Sequence, residues 1–544
     1  MIRKLLFVRQ FALLCIAFCF TINFYSQTIK EKDYTINYLD KNIELVFDTL
    51  VDLSIHDAFS GTAIPFIVEH NKSNAYLLSN VSSGKILKLN YGLLGRSTTV
   101  ESSYVATQSE STGAINVYFN HPVNTSVAQI QNAVNLGNTL DDMLITYINA
   151  CVSKLDIAIY NSDSPSATTG IAGAINAAFN RGVQIRVIYD PSSSSSMIPL
   201  LNVGIPIWPS AQGSNYGLMH NKFVIFDANN IDANKPFVWT GSTNWTVAQI
   251  DGPDKNSVIA IQDQALALGY TLEFNEMWGS ATATPDSVAS KFGSYKTDNT
   301  PHTYLIGGKT VNSYFSPSDG ANSKIIDAIN SADSDINIAT MLITRDDITT
   351  ALLNKFNAGF TNINLVVSYQ NPSGNDFPII QAGILSNHAK IYNLGGLMHH
   401  KFMVIDNFNS ASDPQVVVGS HNWSTSAETK NDENTLIVHD ANITNQYYQA
   451  FINLYQEAGG VLSVNENENS HAGLIVYPTI TNDYVYFSNP EHKTYNYLIY
   501  NGLGQVIKSD VTSDSIDISN NSKGLYFITL SNNNQTKTFK VLLK

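Results

Sequence analysis

Cysteine is nearly missing from this chain. Three occur in 544 residues, and two of them, Cys15 and Cys19, fall inside an apolar N-terminal run. Beyond that run only Cys151 remains, which excludes a disulfide framework and a thiolate metal site. Set in the apolar pattern LDDMLITYINAC, it reads as a buried, unreactive thiol. Charge is also sparse: 14% of residues are Asp, Glu, Lys or Arg, and the net charge is −14. No Lys/Arg stripe follows the first ten residues, which argues against a tight, sequence-independent nucleic-acid binder. There is no cationic amphipathic helix suited to an anionic membrane surface. After the N-terminal run, no apolar stretch is long enough to span a bilayer. Without crosslinks the protein must be held by its core, and at this length the core can be large.

The N-terminus, MIRKLLFVRQ followed by FALLCIAFCFTINF, has a basic start and a short apolar run. It reads as a signal peptide over residues 1–26, with cleavage near Ser26–Gln27; an uncleaved anchor is the alternative. Phe18 before Cys19 argues against a lipoprotein acceptor.

The most informative feature is a duplication. Gly217 begins GLMHNKFVIFD and Gly396 begins GLMHHKFMVID; each is followed by G-S-x-N-W, at Gly241 and Gly419. The two histidines are 179 residues apart and the two asparagines 178. Shared flanks and a shared downstream motif exclude coincidence, so the architecture is an internal repeat.

His220 and Lys222, like His399 and Lys401, are two apart in a run of β-formers and share one strand face. In the next strand Thr240, Ser242 and Asn244 share a face, and Gly241 permits close approach. Ser420 and Asn422 repeat the arrangement. Each copy offers imidazole, ammonium, hydroxyl and amide groups without a carboxylate cluster, a set suited to a tetrahedral anion rather than a metal cation. Asp227 and Asp406 lie five positions beyond their lysines, an odd step that points away from that face. They read first as turn-forming structural carboxylates, and second as catalytic groups. By the same parity His400 and His421 read as structural.

The duplicated H-x-K-x4-D with G-S-x-N resembles the phospholipase D superfamily, over about 340 residues from Val117 to Leu454. The resemblance implies one active site at a pseudo-twofold axis, and a catalytic set of His220, Lys222, Asp227, His399, Lys401 and Asp406. One histidine would attack phosphorus and the other protonate the leaving oxygen, with family habit favouring His220 as nucleophile. Ser242, Asn244, Ser420 and Asn422 would bind or support the phosphate, and Glu433 would orient an imidazole. No metal or other cofactor is implied. In the first copy an alignment at constant step puts Lys255 opposite Glu433, leaving Asp254 or Asp251 as substitutes. The two histidines should therefore differ in basicity while titrating as a coupled pair.

Six segments follow: the signal peptide, a β-rich region of unknown role (28–112), repeat one (113–280), repeat two (281–458), a polar linker (459–471) and a C-terminal domain (472–544). The repeats alternate strand and helix, predicting a parallel-rich sheet with helices on both faces. The whole reads as an α/β protein, a duplicated α-β-α sandwich flanked by β modules. In the C-terminal domain, Val476-Tyr477-Pro478, Tyr500-Asn501-Gly502 with Gly504, and Lys523-Gly524-Leu525-Tyr526 resemble the type A sorting domain of type IX secretion. That resemblance implies the type IX machinery as partner, and a secreted or cell-surface protein. Both motif copies in one chain point to a monomer. The resulting reading is a secreted phospholipase D-type phosphodiesterase acting on phospholipids, with Trp208, Trp245 and Trp423 as candidates to line an apolar groove. The alternatives are a metal-independent nuclease and a catalytically silent surface-binding protein.

Overall fold

The computed structural model describes residues 27–39, 41–69, 74–93, 100–163, 170–368, 374–384, 388–461 and, with short gaps, 476–544. The run read as a signal peptide and nearly all of the polar linker lie outside these residues. The chain divides into two compact units, Met1–Val461 and Leu462–Lys544.

Short alternating strands open the first unit. Five of them, from Gln27–Lys30 to Ala75–Leu78, form one sheet, and Val51–Asp57, Ile86–Leu93 and Glu101–Ala106 form another. Tyr34, Leu45, Phe47, Ile55, Leu89 and Tyr91 are shared in one core.

Each repeat then builds an eight-stranded sheet in the same spatial order. In repeat one the central strands are Ser257–Gln262, Phe237–Gly241, Lys222–Phe226, Lys154–Ile159 and Gln184–Tyr189. In repeat two they are Glu433–His439, Gln415–Gly419, Lys401–Ile405, Ile336–Thr340 and Ile363–Ser368. These sheets are mixed, which corrects the parallel-rich expectation. Lys154–Ile159 and Gln184–Tyr189 pair in parallel because a helix, Gly170–Asn180, carries the chain across between them. The motif strand pairs antiparallel with both neighbours: a loop without a crossover helix joins it to Phe237–Gly241, and it returns beside Lys154–Ile159 only after the parallel strands.

The motif strands are buried along their whole length, which requires cover on both faces. In repeat one, Leu140–Ala150 and Gly170–Asn180 cover one face through Leu144, Ile148 and Ile175. The other face meets the closing helix Gln264–Trp278, which is buried nearly all round because it packs between the two repeats. Its Tyr270 touches Phe223 of its own repeat and Phe315 of the other, at 5.2 and 4.9 Å between ring centres. Ala441–Glu457 does the same in reverse, with Tyr447 on Phe402 and on Phe119 of repeat one. The aromatic pairs Phe274–Trp278 and Phe451–Tyr455 stack within these helices as packing groups.

The second unit is antiparallel, apart from one parallel edge pairing, with a core that includes Val485, Tyr497, Ile499, Ile528 and Val541.

Candidate active site

Each motif histidine stands just before a strand, and its own main chain crosses to the other repeat. Met219 pairs with Asp432, and Met398 pairs with Lys255. Asp432 donates its N–H to Leu218, and Lys255 donates to Leu397. Side chains complete the exchange: Asn431 accepts from the N–H of Leu218 at 3.0 Å, and Asp254 from that of Leu397 at 2.7 Å. The His/Lys pair of each repeat is thus held by the strand entrance of its partner, around one pseudo-twofold axis.

The buried histidines are oriented across that axis. His220 donates from Nδ1 to Glu433 at 2.8 Å, and His399 donates from Nδ1 to Asn256 at 3.0 Å. In both rings the Nε2 lone pair is left for chemistry. Sheet register shows why the sequence alignment misplaced Asn256. Gly241 pairs with Val258 and Gly419 with Thr435, so copy one is a residue longer in the preceding loop. Asn256, not Lys255, stands where Glu433 stands. Asp254 caps the second motif loop, and Asp251 is exposed at the end of a short helix. Anchoring the alignment on the downstream strand, rather than on the G-S-x-N motif, would have found it.

The serines brace these orienting groups. Ser242 donates to Asn256 at 3.0 Å and Ser420 to Glu433 at 2.7 Å. Lys222 donates to the carbonyl of His220 and Lys401 to that of His399, at 2.6 and 2.7 Å. Asn244 is buried and Asn422 half-buried beside their serines, and each has a buried side-chain oxygen without a hydrogen-bond partner. A buried polar group without a partner is open to one that a ligand supplies. Turning the amide would present a donor at the same place.

Electrostatics follow from burial. His220 is pushed down to about 4 by desolvation, against the pull of Glu433 and with the push of Lys222 and Lys401. His399 is pushed well below the ordinary histidine value by desolvation, then by Lys401, Lys222 and His220. Lys222 falls to about 7 by burial, opposed by Glu433 and Asp190. Lys401 is held well below the ordinary lysine value, through burial and then Lys222. Burial depresses all four basic groups, and an anion in the pocket would restore their charge.

The aspartates of the motif sit elsewhere. Asp227 and Asp406 take left-handed backbone, φ +51° and +55°, which Asp tolerates better than most residues. Asp227 accepts from the N–H groups of Val152, Ser153 and Lys154, and Asp406 from those of Asp333, Ser334 and Asp335. Their carboxylates pin the loop that enters the neighbouring strand, at the strand end opposite His220 and His399.

His400 also turns from the site, to His121 at 2.7 Å and Ser257 at 3.2 Å. His421 is buried with Nε2 3.5 Å from Glu428. Trp245 and Trp423 are core residues, 3% and 1% exposed, which corrects their proposed place in a groove. Trp208 is half-buried and donates to Ser290. Tyr160, which the sequence did not single out, lies with its ring 4.8 Å from His220 and 5.1 Å from the Lys222 ammonium.

Among the described residues, the group whose carboxylate and imidazole atoms lie close enough to share a cation is Asp298, His302 and Asp319. It belongs to neither motif. His302 there bonds to the Ser313 carbonyl and to Asp298, and despite desolvation Asp298 and Asp319 raise it to about 9, so both its nitrogens are occupied.

Comparison with known proteins finds the same duplication. A family model described as "Cardiolipin synthase, PLD-like domain" matches residues 144–278 and 325–455, one segment in each repeat. One for the secretion system C-terminal sorting domain matches residues 475–544. A mitochondrial cardiolipin hydrolase of Drosophila melanogaster is 30% identical over 161 residues, 26% of this chain and 60% of the relative. That of Xenopus tropicalis is 29% identical over 129 residues, 23% of this chain and 54% of the relative. The chain thus spans little more than half the length of these relatives. Among solved structures, Nuc of Salmonella typhimurium, a phospholipase D family member, is 22% identical (TM-score 0.25; 27% of this chain, 95% of Nuc). The phosphatidylserine synthase of Haemophilus influenzae is 12% identical (TM-score 0.44; 58% and 84%). Two crossed copies of one motif, each within a matched segment, give this chain a phospholipase D-like domain in two halves, followed by a secretion system C-terminal sorting domain.

Proposed function

We propose that the protein is an exported phosphodiester hydrolase that cleaves phospholipids through a phosphohistidine on His220. The observation that carries this reading is the unlike support behind two equivalent imidazoles: a carboxylate behind His220 and a neutral amide behind His399. In the first step Nε2 of His220 bonds to phosphorus, the bond from phosphorus to the leaving oxygen breaks, and His399 gives that oxygen its proton. The phosphorylated ring carries positive charge, which Glu433 stabilises and an amide would not. A proton held on His399 against burial and two lysines is readily released. Water then returns a proton to His399 and hydroxide to phosphorus, freeing His220. Lys222, Lys401, Asn244 and Asn422 supply donors to the equatorial oxygens, where charge gathers.

The lipid assignment is supported by the activity named for the cardiolipin hydrolases, by the exposed Leu218 two residues before His220, and by the absence of a basic stripe. One feature favours a nucleic-acid substrate instead. Tyr216, half-buried, packs on Tyr295, 51% exposed, at 5.4 Å, and aromatic shelves of this kind stack bases. The test is to incubate the full chain, in EDTA, with phosphatidylcholine and cardiolipin vesicles, and separately with plasmid and single-stranded DNA. Headgroup release with intact DNA is expected. DNA cleavage with intact lipid would replace the lipase by a nuclease, and a strict metal requirement would overturn the histidine mechanism.

A further inference from the structure

We propose that Lys296, in the connector from the closing helix Gln264–Trp278 to the first strand of the second sheet, Thr303–Ile306, is a positioning residue for the nucleophile. It locks Asp432, and through Asp432 the strand entrance that holds Glu433 against His220. The inference rests on the role proposed for His220. Lys296 has no exposed side-chain surface; its ammonium bonds Glu273 of the closing helix Gln264–Trp278 and lies 3.4 Å from Asp432. The same Asp432 oxygen accepts from the N–H of Gly293 at 2.8 Å. Successive side chains of an extended segment face opposite ways, so Glu433 faces His220 while Asp432 is gripped from behind. Asp432 is also the residue whose main chain crosses to Leu218 and Met219, immediately before His220.

The surroundings leave little slack. A Cβ on Gly293 would stand 2.8 Å from the carbonyl oxygen of Lys430, and one on Gly217 would stand 2.5 Å from the Lys430 carbonyl carbon. Connector, motif loop and strand entrance are therefore in backbone contact. On either side of Gly293 the connector is tied to the closing helix, by Lys291 to Glu276 at 3.0 Å and by Thr297 to Glu276 at 3.1 Å. Among the described residues the other crossing has no such lock: the residue equivalent to Asp432 is Lys255, which is half-buried. The charged clamp serves the nucleophile's half alone, and the connector that supplies it exists because the two copies are one chain.

Removing the ammonium leaves Glu273 and Asp432 facing each other in a dry site, with Glu276, Asp319 and Glu433 adding negative charge. Such carboxylates regain partners only by taking up protons, so the defect should depend on pH. The test uses the full chain with bis(p-nitrophenyl) phosphate, which needs neither lipid nor nucleic acid. Wild-type turnover must come first, and its absence would sink the phosphodiesterase reading itself. Independently of turnover, the titration of His220 by NMR in ¹³C-histidine-labelled protein reads its electrostatic setting. For Lys296→Met, kcat should fall about tenfold or more at pH 7.5 with little change in KM, recover toward pH 5.5, and accompany a shifted His220 titration. Lys296→Arg should restore most of it. Asp432→Asn, which keeps the shape, should shift the same titration even where Lys296→Met fails to fold. An unchanged His220 titration and pH profile in Lys296→Met or Asp432→Asn, or a loss equal at every pH, would overturn the proposal.

Discussion

A phosphorylated imidazole is a cation, so the group behind the ring decides which of two histidines is better suited to carry phosphorus. Glu433→Gln keeps the hydrogen bond to His220 and removes the charge, and should lower kcat by about a hundredfold, measured on a soluble diester. Asn256→Asp should do something different. A carboxylate behind His399 raises its affinity for a proton, so the alkaline limb of kcat/KM should move to higher pH. The leaving group separates the roles. His399→Ala should retain far more activity on a p-nitrophenyl diester, whose phenolate departs unaided, than on an alkyl diester; His220→Ala should lose both. Equal losses in the two variants on both substrates would refute the assignment. In the free protein both rings are depressed, His220 to about 4 and His399 well below its ordinary value, so His399 loads its proton only as pH falls. For an alkyl diester kcat/KM should therefore rise below neutrality until His220 itself begins to protonate, giving an acidic optimum.

At the scale of elements, the motif strands show what could be read from sequence. Two-residue spacing is a property of the strand itself, so the shared face of His220 and Lys222 was legible, as were the helices around 140–150 and 170–180. Asn256 was not, because one extra loop residue in its copy shifts an alignment without leaving a signal in composition. Burial of Trp245 and Trp423 was equally hidden, since an aromatic after G-S-x-N is as compatible with a groove as with a core. Asp227 tests the reading of these elements. Its carboxylate serves three N–H groups from a left-handed backbone, so Asp227→Ala should lose about 3 kcal/mol from unsatisfied donors and strain, seen as a lower Tm. The kcat per folded molecule should change little. A hundredfold loss in kcat at unchanged Tm would instead make it a catalytic residue.

Over the whole molecule, the two repeats cannot be parted without dismantling the site. The sorting domain can be, because its core is its own: Val485, Tyr497, Ile499 and Ile528 close against one another, and every residue of the crossed His/Lys site lies before Val461. The segment 475–544 marks the protein for secretion or surface attachment, and nothing in the chemistry derived above draws on it. A protein ending at Val461 should therefore keep the kcat and KM of the full chain on a soluble diester, and unfold with the same principal transition in calorimetry. In the full chain a second, smaller transition should accompany it, from a unit of about 80 residues whose modest core limits its stability. Cells producing the shortened chain should fail to deliver it to their surface or medium. If truncation instead removed activity, the C-terminal unit would have to take part in substrate binding, for which a surface-attached lipid would be the natural reason.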